Sequence, residues 1–511
     1  MLTAALSCGL VTVLVVGALS LDAGGVRFLF LAVLALVALG TCFALPVESL
    51  PTAALVLVVL VPDRVADYSV SPVLTPATVV LIVWVVRRLL ARDLSGPAAV
   101  APQDDRRLHR RLTTVCVLLA LGMIPLVLVS PSKRFSVAWA VTFALAVVAP
   151  LLVRDFEEEA RRLRRALPLL GSLVALYAVV QYLVQRNVVY TPLYEALGLD
   201  DLQHWAVYRS DASLGHPLVA GLFFASVLAF CVGRWAETGR RSFTLAALMN
   251  ALGIVTTVSR GSYVAGAVAV SVVLLLALGA QRRHRVRQVL VLAVFAGAGI
   301  LAVNTDAFVE RGLSAEGQSS LSSRNALPQI AVDTARAHHW LGGGPATSLP
   351  LAAPFNFQHL PIENSYLQLL IGLGLWGLIL FTLILVLAAA IAVRRRNLSG
   401  LGALVGYATA IAGFAALDSR RDLVVLLGLL VMVSLYPPDR GRPVPTPPAD
   451  LAVVLPRRSA GPALRARCST PARRALHGGR DHHGWTPGQE RQPLEEESGG
   501  AAVLVEASAR G

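Results

Sequence analysis

Two arginines and one glutamate are the residues of this sequence best placed to do chemistry. Arg260 stands in Thr256-Thr257-Val258-Ser259-Arg260-Gly261-Ser262, between two apolar runs joined by almost no loop. Its guanidinium is held near the end of an apolar run, where a planar fork of donors suits bidentate capture of phosphate oxygens; the competing reading is a snorkelling anchor. Arg209 lies in Tyr208-Arg209-Ser210-Asp211-Ala212-Ser213-Leu214-Gly215-His216-Pro217, where Asp211 is close enough in sequence to neutralise it as a surface pair. Glu363 immediately precedes the run Ser365-Tyr366-Leu367-Gln368-Leu369-Leu370. At a helix N-terminus its carboxylate is favoured as the anion and remains an acceptor, which makes it the candidate base. Ordinary capping by Glu363 and Asn364 is the alternative. Upstream, residues 304–362 form a long, weakly apolar stretch carrying Arg311, Arg324, Arg336, His338 and His339 before the turn Gly342-Gly343-Gly344-Pro345. A glycine turn reverses the chain, and its N–H groups can also form an anion nest.

The elements that must position these groups are membrane helices. The 511 residues are 55% hydrophobic and 15% charged, too apolar for a chain whose side chains face water. A net charge of +14 would point to nucleic acid in a soluble domain. Here the arginines cluster in short links between apolar runs, as cytoplasmic loops place them, and no nucleic-acid partner is expected. Cys8, Cys42, Cys116 and Cys231 fall in apolar runs and Cys468 lies alone in a polar tail, so no metal-ligand spacing or disulfide framework is present in the sequence. The first run lacks a basic leader and reads as a retained span.

Runs of roughly 20 apolar residues cross the hydrocarbon core as helices. They fall near 2–21, 26–45, 51–62, 73–90, 112–130, 135–153, 166–185, 214–233, 242–258, 262–280, 288–303, 364–392, 400–417 and 421–437. The fold expected is therefore an all-α, polytopic bundle of about fourteen transmembrane helices over 1–437, with one large extracytoplasmic loop, 304–362, between the eleventh and twelfth. The arginine clusters at 87–92, 106–111, 154–165, 240–241, 282–287 and 394–396 share one side if both termini are cytoplasmic. Residues 186–213, the Ser259-Arg260-Gly261 junction and 304–362 then face the exterior. Within 304–362, Leu327, Ile330, Ala331, Thr334 and Ala335 recur on a helical period, predicting a short surface helix. Residues 438–511, rich in Pro, Arg, Gly and Glu, read as a disordered cytoplasmic tail. Gly372-Leu373-Gly374-Leu375-Trp376-Gly377 matches a dinucleotide fingerprint literally, but inside an apolar run with no preceding strand it predicts close helix packing.

The order Arg209, Gly215-His216-Pro217, Ser259-Arg260-Gly261, the long loop ending Leu341-Gly342-Gly343-Gly344-Pro345, then Glu363-Asn364-Ser365-Tyr366-Leu367 with Gly374 and Gly377 resembles the O-antigen ligase and O-antigen polymerase superfamily. The resemblance covers roughly residues 200–380. It implies transfer of glycan from an undecaprenyl-diphosphate-linked donor to a sugar hydroxyl acceptor at the outer face of the cell membrane, in cell-surface polysaccharide synthesis, with neither metal nor other cofactor. It implies diphosphate binding by Arg209, Arg260 and Arg324. Gly342, Gly343, Gly344, Asn364 and His339 are the residues expected to support the site. The ligase branch commonly carries His at the position of Glu363, which ranks a polymerase or another glycan transferase ahead of a lipid A ligase. With a good leaving group already on the donor, direct displacement with inversion is the expected course, Glu363 taking the hydroxyl proton. Membrane lipid and envelope polysaccharide assembly proteins are the further partners expected. A polytopic transporter or flippase of a polar or lipid-linked solute is the rival class, though transporters mark their path with mid-membrane charges and paired broken helices, which the sequence does not display. A noncatalytic assembly partner is the third reading.

Overall fold

The apolar runs fold into helices whose starts are set by local signals. In the computed structural model, which describes residues 40–62, 75–91, 103–153, 155–196, 207–280 and 315–436, Thr75 caps α2 (Pro76–Leu90) by accepting from the Thr78 amide, with proline at the first position. Proline is tolerated there because its missing N–H would have had no partner within the helix. The side chains of 103–104, 196, 279–280 and 315–324 fall outside the described set. Before α2 comes α1 (Leu50–Leu60). After it follow α3 (Gln103–Val129), α4 (Lys133–Phe143, continued by a π turn, Ala144–Val148, and Ala149–Leu152), α5 (Glu157–Val184) and the short α6 (Tyr190–Ala196). Then come α7 (Pro217–Thr238), α8 (Arg241–Thr256), α9 (Arg260–Ala280), α10 (Ala315–Ala337), α11 (Ser348–Ala352), α12 (Ser365–Arg394), α13 (Leu398–Ala410) and α14 (Arg421–Leu435). The described residues form no strand.

Six of these helices are long and apolar enough to cross a membrane: Asp105–Val129, Lys133–Leu152, Glu157–Val184, Pro217–Thr238, Arg260–Leu278 and Ser365–Arg394. Val47–Leu60, Arg241–Thr256 and Leu398–Gly413 are shorter apolar helices. The spans expected at 2–21 and 288–303, most of that at 26–45, and the tail 438–511 lie outside the described residues. Burial distinguishes the helices by position. Almost all of α7 is buried, as a helix apolar on every side must be, and it packs against α8, α9 and α13. In α3 the exposed residues Leu118, Leu121, Ile124 and Leu128 recur every three or four positions, as do Leu169, Leu173, Leu176 and Val180 in α5. Exposed apolar stripes of that period are what lipid requires of an outer helix.

The two ends of the bundle are chemically different. At one end, buried Arg164 on α5 pairs with Glu237 at the close of α7 at 3.1 Å and donates to Ser399 Oγ at 3.0 Å. Arg234 also reaches Glu237, at 3.3 Å, and Arg395 pairs with Asp105 at 3.1 Å. Arg88 joins Glu159 there, and Arg162 reaches Glu48. Buried guanidiniums demand such partners because an uncompensated interior charge costs several kcal/mol, order of magnitude. The opposite end gathers the N-termini of α7, α9, α12 and α14 with the C-termini of α1, α3, α8 and α13. There Ser213 Oγ donates to Val59 O at 2.6 Å, Trp139 Nε1 to Leu417 O at 2.7 Å and Ser136 Oγ to Pro345 O at 2.6 Å.

α12 is not continuous. Gly374 has φ 74° and ψ −177°, a conformation essentially confined to glycine, and it divides a first half-helix from the rest. The turn after α10 fills the break: the Gly344 N–H donates to Gly372 O at 2.8 Å and the Leu375 N–H to Trp340 O at 2.9 Å. Trp376 Nε1 donates to Leu341 O at 3.2 Å, while the Trp376 ring lies over Gly122 of α3. Residues 338–345 thus form a strap that first meets α12 at Gly372, seven residues, roughly 10 Å, beyond its first residue. The helix α10 is longer than the surface helix expected from the sequence, and its buried face of Leu327, Ala331, Thr334 and Ala335 includes Leu327 and Ala331 in a small core with Leu351, Ile362 and Ile371.

Candidate functional site

The segment 207–216 folds into the bundle because its polar groups find partners there. The Ser210 N–H donates to Thr256 O at 3.0 Å, Ser210 Oγ donates to Ala178 O at 2.7 Å, and Arg209 Nε donates to Thr257 O at 3.2 Å. Arg209 and Asp211 are 3% and 5% exposed, so neither belongs to a surface pair. Asp211 Oδ1 accepts from Gln181 at 2.6 Å and from Asn187 at 2.9 Å. Gln181 in turn accepts the Ala212 N–H at 2.8 Å, which fixes Ala212 at φ 52°. These bonds aim the Arg209 stem at the junction between α8 and α9.

Arg260 opens α9 at the same junction. Val258 makes the turn at φ 46°, and Ser259 Oγ accepts from Ser262 Oγ at 2.9 Å and from its N–H at 3.4 Å. A cation in the first turn opposes the helix dipole by about 0.3–1 kcal/mol, so helix stability does not account for arginine here. Gly221, one turn into α7, lets α9 approach so closely that a Cβ would sit 1.9 Å from Ser262 Oγ. Two sequence-distant guanidinium stems therefore converge on one helix junction.

The N-terminus of α12 reaches the same end by a different route. Asn364 caps it, its Oδ1 accepting from the Tyr366 N–H at 2.9 Å and the Leu367 N–H at 3.3 Å. Glu363, half-buried, precedes that cap, and Ser365 Oγ donates to Phe414 O at 2.8 Å. The Phe414 ring stacks on His216, centroids 5.3 Å apart, and His216 Nδ1 accepts from the Leu218 N–H to cap α7. Packing thus runs from Glu363 through Ser365, Phe414 and His216 to the segment that carries Arg209.

The remaining expected site residues divide. Gly342, Gly343 and Gly344 do not form an exposed anion nest: the Gly344 N–H is spent on Gly372, and a Cβ at Gly342 would lie 2.5 Å from backbone atoms of Gly372, Leu373 and Gly374. Their role is close passage across the break in α12. His339 is exposed at φ 53° and ends α10, its N–H donating to Arg336 O at 3.0 Å. Arg324 falls within α10, but its side chain lies outside the described residues.

Asp418-Ser419-Arg420-Arg421-Asp422, between α13 and α14, belongs to this end without any motif to mark it in the sequence. Asp418 Oδ2 accepts the Ser348 N–H at 2.7 Å, and its own N–H donates to Gln368 Oε1 at 3.3 Å, one turn into α12. Burial pushes the Asp418 carboxyl up to about 6, against hydrogen bonds from Ser348 and Ala346 that favour the anion. Arg420 and Arg421, 9% and 4% exposed, begin α14 beside it. The available signal was four charges in five residues between two apolar runs, on the side where the arginine clusters are not.

Such an end, with guanidiniums, a half-buried carboxylate and capped helix starts in a multi-pass helical membrane protein, suits an anionic substrate whose chemistry needs proton transfer. A family model described as O-antigen ligase matches residues 245–382, the stretch from within α8 through the strap to the middle of α12. The match supports membership of the O-antigen ligase superfamily, the family that the motif order resembles. That family implies a glycosyl-transferring membrane enzyme of cell-surface polysaccharide synthesis, working between a lipid-linked glycan donor and a glycan acceptor. A search of curated proteins gives no match.

Proposed function

We propose that this protein polymerises or ligates glycan from an undecaprenyl-diphosphate-linked donor, and that the end bearing Arg209, Arg260 and Glu363 faces the exterior, with both termini cytoplasmic. The observation that carries the proposal is the approach of Arg209 to the α8–α9 junction from which Arg260 emerges, Nε to Thr257 O at 3.2 Å. Two guanidiniums at one junction match the two phosphoryl groups of a lipid diphosphate, and Arg presents the planar fork such groups accept. Charge grows on the bridging phosphate oxygen as the anomeric bond breaks, and donors already in place stabilise it without reorganisation.

In the reaction proposed, an acceptor hydroxyl attacks the anomeric carbon from the face opposite the diphosphate. Glu363 takes the hydroxyl proton, a new glycosidic C–O bond forms, the old C–O bond breaks, and undecaprenyl diphosphate leaves with the bonding electron pair. One displacement inverts the anomeric centre. Asp211, the carboxylate nearest Arg209 in sequence, accepts from Gln181 and Asn187, which disfavours it as a nucleophile. The reaction as written asks for no metal. Arg324 remains a proposed third phosphate contact.

The break in α12 favours a second reading, since discontinuous helices also line transport paths. Here the strap backbone occupies the break, through Gly344 and Trp340, where a transporter would leave groups for solute. Arg260→Ala and Glu363→Gln, tested separately for the length of carrier-linked glycan in membranes, distinguish the readings. Loss of elongation at normal protein abundance is expected, and unchanged products would remove the catalytic proposal.

A further inference from the structure

At the end of the bundle opposite the candidate site, α3 and α12 border a groove of about 390 Å³ lined by Arg110, Arg111, Thr114, Val115, Leu383 and Leu387. The size is that of a small-molecule site, roughly 300–1,000 Å³. Its lining is almost wholly apolar: Val115, Leu383 and Leu387 form the floor, and Arg110, Arg111 and Thr114, all exposed, border it. Leu383 continues the exposed stripe of α12 with Ile379 and Val386, so the floor is continuous with the surface that faces lipid. Arg110 and Arg111 are exposed, whereas Arg395 at the close of α12 is engaged by Asp105 at 3.1 Å. The ion pairs at this end that hold the bundle together use other arginines, notably Arg164, Arg88 and Arg162.

We infer that this groove binds an anionic phospholipid, its headgroup phosphate on Arg110, Arg111 and the Thr114 hydroxyl and an acyl chain along Val115, Leu383 and Leu387. The occupant follows from what the groove combines. A free anion would use the guanidiniums and leave the apolar floor wet, whereas an uncharged chain would leave the arginines unused. Basic pockets between membrane helices on the positively flanked side take anionic headgroups for this reason. The site is separate from the proposed diphosphate site and does not depend on it.

Full-length protein in a neutral detergent, titrated with phosphatidylglycerol or phosphatidylcholine and read by native mass spectrometry, tests the inference. Phosphatidylglycerol adducts are expected to form well before phosphatidylcholine adducts. The variant R110A/R111A is expected to bind phosphatidylglycerol roughly thirtyfold more weakly, the factor that two arginines near an anionic headgroup contribute. Arg240→Ala with Arg241→Ala, an exposed pair at the start of α8, makes the same charge change elsewhere and is expected to leave binding within about threefold. Leu387→Trp fills the floor without changing charge and is expected to reduce binding as well. Equal loss in the two arginine pairs, or full binding by Leu387→Trp, would mean attraction by general charge and overturn the site. Displacement of the lipid by inorganic phosphate at millimolar concentration would overturn the lipid assignment.

Discussion

Adding one methyl group at Gly374 tests whether the strap holds α12 in two pieces. The substitution Gly374→Ala introduces a side chain where φ is 74° and ψ −177°, and its Cβ would lie 2.3 Å from Trp340 O and 2.5 Å from Leu341 C. Both obstacles are backbone, so no rotamer relieves them. The conformation itself costs about 1–3 kcal/mol for a residue with a Cβ. Displacing the strap forfeits the bonds between Gly344 and Gly372 and between Leu375 and Trp340, about 0.5–1.5 kcal/mol each and more where lipid rather than water is the alternative. The sum is about 2–6 kcal/mol. Gly239 supplies the comparison: it has φ 70° at the end of α7, and nothing lies within 4 Å of an added Cβ, so Gly239→Ala bears only the conformational cost of about 1–2 kcal/mol. Thermal unfolding of the two purified variants in one detergent is the assay, with glycan elongation measured at a temperature where both remain folded. Gly374→Ala is expected to melt several degrees lower and to lose elongation, because the half-helix starting at Ser365 presents Glu363. Equal melting of the two variants would refute the strap as a structural lock.

Asn364→Ala removes two cap bonds from α12 and is expected to destabilise the protein by about 1 kcal/mol, while Asn364→Asp, which keeps the acceptor, preserves it; melting curves of both check this. Glu237→Ala leaves Arg164 and Arg234 without their shared carboxylate in the interior and is expected to cost about 3–5 kcal/mol, read as lost folded protein in membranes. The folded Asp418 carboxyl titrates at about 6, above its ordinary 3.8, so the fold binds that proton more tightly than the unfolded chain does. Its contribution to stability is complete below about 3.8 and is lost as pH rises through about 6. Relative to Asp418→Asn, the parent protein is therefore expected to lose melting temperature across that window, and parallel curves would contradict the assignment.

Helix type and approximate limits were legible wherever a run was apolar and bounded by a capping residue or proline. Pro217 after His216 and Ser365 after Asn364 begin their helices where those signals predict. The α10 face was legible too, since Leu327, Ala331, Thr334 and Ala335 share one side of any helix. The glycine motif predicts only close packing, because a break at Gly374 is visible in no local pattern: it is matched by the carbonyl of Trp340, thirty-four residues earlier. Asp418 escaped for a similar reason. A short acidic-basic link looks like any loop until Ser348 and Gln368 are found against it.

The sequence by itself determined a helical membrane protein with a strongly basic set of links, because hydrophobic run length and charge clustering act locally and need no partner to be read. It also marked Arg209, Arg260 and Glu363 by their unusual placement between apolar runs. Only the tertiary structure decided that Arg209 is buried against the α8–α9 junction, that Asp211 is held by two amides, and that the triple glycine mends a helix. Those outcomes depend on which distant backbone groups meet inside the bundle, where each buried donor and acceptor must find a partner, and that matching is a property of the packed whole.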